Sequence, residues 1–575
     1  MLNQKTGYPE IDRPWMKYYD GDAIFTTPPH TKYTSYILSQ NKGRLSEDAL
    51  DYLGKRITYA ELFEHVRNTA KGMQAIGIKK GDIVTVFSIN TPETIYCVFA
   101  LNLLGAIPCI EYVTESIQEA KATVERCESK TVILLDVLAE KFAELAAIDS
   151  LERIIILPLA GSMPFVKKAI ATAKIQKHHV DKELLYGDLI SKGKKEQLQE
   201  SDYDPDATAI ILHSGGTTGI PKSILLTNDN LCYVAWAFSV GGSDTAPGDV
   251  LYSCIPLFHA FGFTCGIVMP LVIRQTLALA VKYDEQSFVE SFKRLKPNHT
   301  MSSSTYLPTL IKDPELQSWD LSFYKTMGMG GTPLTHAVEI ELAEFMEKHG
   351  SSAKPSLGYG LSEITSASAT ELNRYYGKVG SVGIPLCGVN IFVQDTDTGE
   401  HKKIGETGEL FISSPGLMQG YYKNQEETDA CIFTDENGTK WMKTGDLGYI
   451  DEDGFLFITG KLKRIYTTRS DENSPIFHIF PDYIASVVSD APSIKDAVVI
   501  CLPHPVLKSI PIAFIVTDGG NAETICTEAM EYCREKLPGH SVPKAIYQID
   551  NIPKNAIGKI DYEKLEKSAK ERYQE

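Results

Sequence analysis

An apolar tetrapeptide, Ala209-Ile-Ile-Leu212, runs almost directly into Ser214-Gly-Gly-Thr-Thr-Gly-Ile-Pro-Lys222. The first segment is a buried strand by composition. In the second, Gly215, Gly216 and Gly219 let the backbone turn sharply and aim amides at an anion. The hydroxyls of Ser214, Thr217 and Thr218 add polar groups, and Lys222 adds a positive charge. A flexible surface loop has no need of this density of hydroxyls and charge, so the segment reads as a phosphate cradle. It is not a Walker A loop, because Pro221 stands where that motif has glycine before lysine.

The surroundings of this loop read as α/β. Thr58-Tyr-Ala-Glu61 is a capping box. Leu62, Val66, Met73 and Ile76 then recur at helical spacing until Gly77 ends the run. Ile83 to Phe87 is a short apolar strand, Thr91-Pro92 opens the next helix, and strands follow at Thr131–Asp136 and Arg153–Pro158. This alternation predicts mostly parallel strands covered by helices. Residues 192–206 form a polar connector. From about 380 to 461 the texture shifts to short β segments separated by Gly, Asp and Pro, and a domain boundary is placed near Lys461–Arg464. The expected organisation is a large N-terminal domain, 1–461, of layered α/β subdomains with a β-rich subdomain at about 380–461. A small, mobile α+β C-terminal domain, 462–575, follows, with apolar strands at Ala497–Leu502 and Pro511–Thr517.

Composition excludes several classes. The 575 residues carry 57 Lys and Arg against 74 Asp and Glu, a net charge of −17, which argues against a general nucleic-acid binder. The 11 cysteines are scattered with no C-x-x-C pair, a pattern of buried reduced thiols in a cytoplasmic protein. Met1 to Gly7 carries no apolar core of a secretory signal. The longest apolar tract, Phe261 to Val281, contains Arg274 and is broken by Gly266 and Pro270, so no integral membrane segment is expected.

The glycine-rich segment resembles the phosphate loop of the adenylate-forming superfamily: acyl- and aryl-CoA ligases, peptide-synthetase adenylation domains and luciferases. Further elements fall in the family's order. Gly330-Gly331-Thr332-Pro333 resembles the segment along adenine, Gly358-Tyr359-Gly360-Leu-Ser362-Glu363 the Y-G-x-[ST]-E element, and Thr444-Gly-Asp446 the T-G-D element. Pro553 to Lys559 resembles the C-terminal P-x-x-x-x-G-K element. The likeness extends from about Thr58 to Lys559 and implies an AMP-forming ligase with ATP, Mg²⁺ and CoA as cofactors and co-substrates. It implies that Lys559 bridges the carboxylate and the α-phosphate, and that Lys222 with the loop hydroxyls holds the departing phosphates. By the same resemblance Glu363 ligates Mg²⁺, Tyr359 stacks on adenine, Ser362 donates to the α-phosphate, and Asp446 accepts from the ribose, with Lys461 nearby. Taken singly, Asp446 and Glu363 read as solvated or capping acids, Lys559 as a surface lysine and Tyr359 as core.

Pro256-Leu-Phe-His259 occupies the family's acyl-pocket segment. Amino-acid-activating members usually place an aspartate here, and a buried ammonium without one is costly. A fatty, aryl or other non-amino carboxylic acid is therefore expected. His259 reads as a pocket residue, with a satisfied core histidine as the alternative; Phe258, Phe261 and Phe263 read as pocket wall, with plain core as the alternative. At the domain junction the usual G-R-x-[DK]-D is Gly460-Lys-Leu-Lys-Arg464. Lys463 suits the hinge, Lys461 keeps charge without the two-pronged donor of arginine, and Arg464 replaces an acid. Lys461 to Asp518 contains no glycine, and Phe480 to Ala485 lacks the family's glutamates, which points to a reshaped thiol path. The leading expectation is acid activation followed by transfer to CoA. Loading of a carrier protein's pantetheine arm is the alternative, and a non-catalytic nucleotide-binding protein the rival from another class.

Overall fold

The computed structural model describes residues 5–19, 26–113, 116–175, 179–213, 222–241, 244–331, 334–371, 377–464, 466–469, 476–517, 519–554 and 560–573. Two large sheets form the body. One has eight strands, whose parallel interior runs Thr208–His213, Ile107–Glu111, Ile83–Phe87, Thr131–Leu135, Arg153–Leu157 and Glu183–Leu185. The other has nine, with Asp48–Tyr52, Thr276–Leu279, Val250–Ser253, His299–Ser303, Thr326–Gly330 and Pro355–Tyr359 running parallel. Antiparallel strands extend the eight-stranded sheet at one end and the nine-stranded sheet at both, and the expected α/β architecture holds. The capping box at Thr58 and Glu61 forms with both reciprocal hydrogen bonds.

The helix Pro92–Leu104 is buried along its whole length. It divides its apolar side chains between two clusters: Tyr96 and Phe99 face one, Ala100 and Leu104 the other. Such all-round burial demands that its polar groups be matched. Asn102 accordingly donates to Asn228 Oδ1 at 2.8 Å. Glu93 is matched on one side only. Its Oε1 accepts from Ser162 Oγ at 2.7 Å, while Oε2 is buried with no partner among the described residues. Burial pushes this carboxyl up to about 7. The folded chain therefore binds a proton that the unfolded chain releases near 4.5, so stability is lost as pH rises from there to about 7. Glu93→Gln is expected to stabilise the protein by about 2–3 kcal/mol at pH 8 and to change little at pH 4. Urea denaturation at the two pH values checks this; equal effects at both would refute it.

Residues 390–461 form an antiparallel sheet in which Gly408–Ser413 and Leu456–Lys461 flank Lys440–Ile450. Farther on, the hairpin Ile494–His504 and Lys508–Thr517 sends alternate residues to opposite faces, as a strand's period of two requires. Val499, Cys501, Ala513 and Ile515 pack against the helices Pro481–Ser489 and Ala522–Lys536. Val498, Ile500, Ile512 and Phe514 pack against Tyr562–Arg572. This segment thus carries apolar clusters of its own. The tract 261–281 is consumed by a broken, buried helix and the strand Thr276–Leu279. Among the described residues no helix is long and apolar enough to cross a membrane.

Candidate active site

A cleft of about 2340 Å³ runs from the ends of the nine-stranded sheet to the C-terminal segment. Its walls carry Lys222, His259, Gly330, Tyr359, Ser362, Glu363, Asp446, Lys461 and Lys463. Residues drawn from motifs more than 200 positions apart therefore share one space. Ser214, Gly215, Gly216, Thr217, Thr218, Gly219, Thr332, Pro333 and Lys559 lie outside the described residues.

On the polar wall, Asp446 and Lys461 are register partners on adjacent antiparallel strands and form an ion pair. The Tyr359 hydroxyl donates to the other carboxylate oxygen of Asp446 at 2.8 Å. Asp446 is only 2% exposed, and its own amide donates to Thr444 Oγ1 at 3.0 Å. Burial, and then the neighbouring Asp446, holds the Tyr359 phenol well above its usual range and so protonated. The carboxylate is held at both oxygens and lines the cleft.

Glu363 sits in the short turn Ser362–Ile364, after which Thr365 and Ser366 take φ values of 57° and 83°. Left-handed backbone at two successive non-glycine residues is costly and is held here by packing. Thr365 Oγ1 donates to the Gly416 carbonyl at 2.7 Å. Gly360 is required by close approach, since a Cβ there would lie 1.7 Å from the Ser366 carbonyl oxygen. Tyr421 donates to Glu363 Oε1 at 2.9 Å, and Lys222 Nζ lies 4.9 Å from the centre of the Tyr421 ring. Lys222 also pairs with Glu427 at 2.5 Å, which holds the Glu427 carboxyl below its usual range. Glu363 itself lines the cleft.

The opposite end is apolar. His259 precedes the turn Ala260–Phe263, with its ring 4.8 Å from Phe258 and 5.5 Å from Tyr112. Phe258, His259 and Phe261 line the cleft. Phe263 does not join them: it is 1% exposed and packs edge-on to Tyr33 at 5.8 Å, in the core. The reason is helical spacing, since residues two apart point to different faces. A π-helical turn, Thr264–Val268, follows directly, a distortion that often accompanies functional sites.

At the junction, Lys463 occupies the turn Leu462–Arg464. Arg464 pairs with Asp482, donates to Tyr562 Oη at 2.7 Å and to the Val499 carbonyl at 2.8 Å, and covers the Tyr562 ring at 3.9 Å. Burial raises the Asp482 carboxyl despite the attraction of Arg464. The basic residue that replaces an acid at 464 is thus matched by an acid on the C-terminal segment. Sequence reasoning missed Tyr421, Glu427 and this Arg464–Asp482 pair. No local signal marks Glu427; Gly420-Tyr421, an aromatic after a glycine in the β-rich region, is a weak one.

The profile of the AMP-binding enzyme family matches residues 39–422, and that of the AMP-binding enzyme C-terminal domain matches 483–559. A long-chain-fatty-acid–CoA ligase of Bacillus subtilis (strain 168) is 27% identical over 567 residues, covering 96% of this chain and 97% of its own. A 4-coumarate–CoA ligase of Humulus lupulus is 26% identical over 88% of each chain. Among solved structures, an anthranilate CoA ligase in complex with anthranoyl-AMP superposes with a TM-score of 0.80 at 19% identity, over 95% of this chain and 98% of that one. A benzoate CoA ligase of Burkholderia xenovorans LB400 gives 0.77 at 20%, over 93% and 100%. The fold is therefore common to these enzymes, and with two thirds of its length matched by one profile the chain belongs to the AMP-binding enzyme family.

Proposed function

We propose that this protein is an AMP-forming acid–CoA ligase. A carboxylate oxygen attacks the α-phosphorus of ATP, the bond to pyrophosphate breaks, and an acyl-adenylate forms. The CoA thiolate then attacks the acyl carbon and AMP leaves. The observation that carries this reading is the single cleft that joins a polar, charge-bearing wall to an apolar end. A triphosphate and a carboxylate repel each other, so adenylation needs cations and fixed orientation at their meeting point.

In this reading Asp446 accepts from the ribose hydroxyls, with Tyr359 and Lys461 holding its geometry. Tyr359 and the segment from Gly330 to Pro333 lie along adenine, and Ser362 donates to the α-phosphate. Lys222 and the Ser214–Gly219 loop receive the departing phosphates. Lys559 bridges carboxylate and α-phosphate. The C-terminal unit, 462–575, first presents Lys559 and then turns about Lys463 to admit the thiol. Mg²⁺ fits Glu363, which lines the cleft and whose hard carboxylate oxygens suit it. When bound, the ion would neutralise phosphate charge.

Phe258, His259 and Phe261 would receive the acid. These three side chains offer no carboxylate to an amino acid's ammonium, and the fatty and aryl acids named for the relatives set the class of substrate to try. The test is pyrophosphate and AMP release with MgATP and a panel of long-chain, aryl and amino acids, with and without CoA. Release that depends on a fatty or aryl acid and is stimulated by CoA is the expected result. Adenylate that ignores CoA but acylates a carrier protein would overturn the thiol assignment. No acid-dependent pyrophosphate anywhere in the panel would overturn the enzyme assignment.

A further inference from the structure

Beneath the strand that leads into the glycine-rich loop lies a buried group of side chains that the reaction does not use. Cys109 and Glu111 stand two apart on Ile107–Glu111 and so share a face. The neighbouring parallel strand pairs Ile211 with Cys109, which brings its last residue, His213, level with Glu111. His213 Nε2 lies 2.5 Å from Glu111 Oε1, and both side chains are 1% exposed. Cys109 Sγ is 3.3 Å from the same Oε1 and 3.6 Å from the same Nε2. Cys127, at the end of the helix Ile117–Arg126, places its Sγ 3.7 Å from Cys109 Sγ.

We propose that this group is a structural zinc site, with Cys109, Cys127, His213 and Glu111 as ligands. Tetrahedral zinc with bonds of about 2.3 Å to sulfur and 2.0–2.1 Å to nitrogen and oxygen sets its ligands apart by about 3.8 Å for S–S, about 3.6 Å for S–N or S–O and about 3.3 Å for N–O. For Cys109 the S–S and S–N distances already match and S–O is close, whereas of the four only Cys109, Glu111 and His213 have their ligand atoms all within 4.8 Å of one another. Two adjustments complete the site: the short contact between Nε2 and Oε1 opens by less than about 1 Å, and the Cys127 sulfur, already beside Cys109, swings in toward Glu111 and His213 as the fourth ligand.

Chemistry agrees with geometry. Thiolate, imidazole and carboxylate together suit zinc rather than magnesium or calcium. Without a cation, a His–Glu ion pair at this depth carries a desolvation cost that the two neutral thiols do little to offset. Binding forms two Zn–S bonds, one Zn–N bond and one Zn–O bond. It expels to solvent the two thiol protons and the proton held between Nε2 and Oε1. His213 keeps its Nδ1 proton, which faces Ser223 Oγ at 3.4 Å, the outer partner that fixes ring orientation. Ser223 Oγ in turn accepts from Arg126 at 3.2 Å. Because His213 is bonded to Ser214, the ion would pin the residue from which the phosphate loop departs.

The test loads the full-length protein with zinc chloride under reducing conditions, removes free metal by gel filtration, and measures bound metal by mass spectrometry. The expected result is about one zinc per chain, falling to background in Cys109→Ser and Cys127→Ala. Cobalt chloride should give wild-type protein the near-ultraviolet thiolate band and the intense visible bands of tetrahedral cobalt, a readout that needs no variant to fold. Wild-type protein that retains no zinc and shows no thiolate band overturns the site. Zinc retained equally by both cysteine variants overturns the ligand set. A Cys109–Cys127 disulfide in protein purified without reductant, with zinc then excluded even after reduction, also overturns it.

Discussion

Asp446→Ala is expected to lower kcat/KM for ATP in acid-dependent pyrophosphate exchange by about 10²–10³-fold, equivalent to about 3–4 kcal/mol. Asp446 is nearly fully buried and is held by Tyr359 on one oxygen and Lys461 on the other. Ribose hydroxyls that meet this carboxylate exchange water for a charged acceptor whose orientation was fixed beforehand. Alanine leaves those hydroxyls, and the Tyr359 phenol, facing a dry wall. Lys461 contributes little to the loss, because its side chain is 53% exposed and returns to water. Tyr359→Phe removes one hydrogen bond to a charged group and should cost only about tenfold. Exchange kinetics, with circular dichroism to verify folding, measure both. An Asp446→Ala enzyme within threefold of wild type would falsify the ribose assignment.

Lys559→Ala should be as damaging to the first half-reaction and should spare the second. The loss expected in single-turnover adenylate formation is about 10²–10³-fold, the size seen when one preorganised electrostatic group is removed from a transition state. ATP affinity should hold, because the triphosphate keeps Lys222, the phosphate loop and Asp446. Thioester formation from a chemically prepared acyl-adenylate should also persist, since the carboxylate–phosphate repulsion that Lys559 is proposed to relieve is then already past. A variant that adenylates normally, or one that loses both half-reactions equally, would remove Lys559 from the role given to it.

Arg464 shows how a departure from pattern misleads when read singly. Viewed along the chain, a basic residue for an acid at 464 and the missing glutamates at 480–485 are two separate losses. In the fold they are one exchange: Arg464 meets Asp482, stacks on Tyr562 and donates to Val499. The basic residue at 464 is thus matched within the fold by a carboxylate, a carbonyl and an aromatic ring rather than left as an uncompensated charge. Tyr421 and Glu427 make the same point for the phosphate side. Each touches a motif residue, Glu363 or Lys222, from 58 and 205 positions away.

What the sequence determined by itself is local or motif-borne. Thr58 and Glu61 cap a helix because hydroxyl and carboxylate reach amides within one turn. The strand Ile83–Phe87 and the start of the helix at Pro92 follow from a short apolar run and from proline's missing amide. The order of Gly330, Tyr359, Glu363 and Asp446 along the chain gave the family. Tertiary structure decided which candidates meet. It put Phe261 on the cleft and Phe263 in the core, matched Arg464 with Asp482, and gathered Cys109, Glu111, Cys127 and His213 from three elements. Hydrogen bonding and side-chain period act over a few residues and leave a trace in the sequence. Partnership across sheets depends on strand order and register, which no single segment encodes.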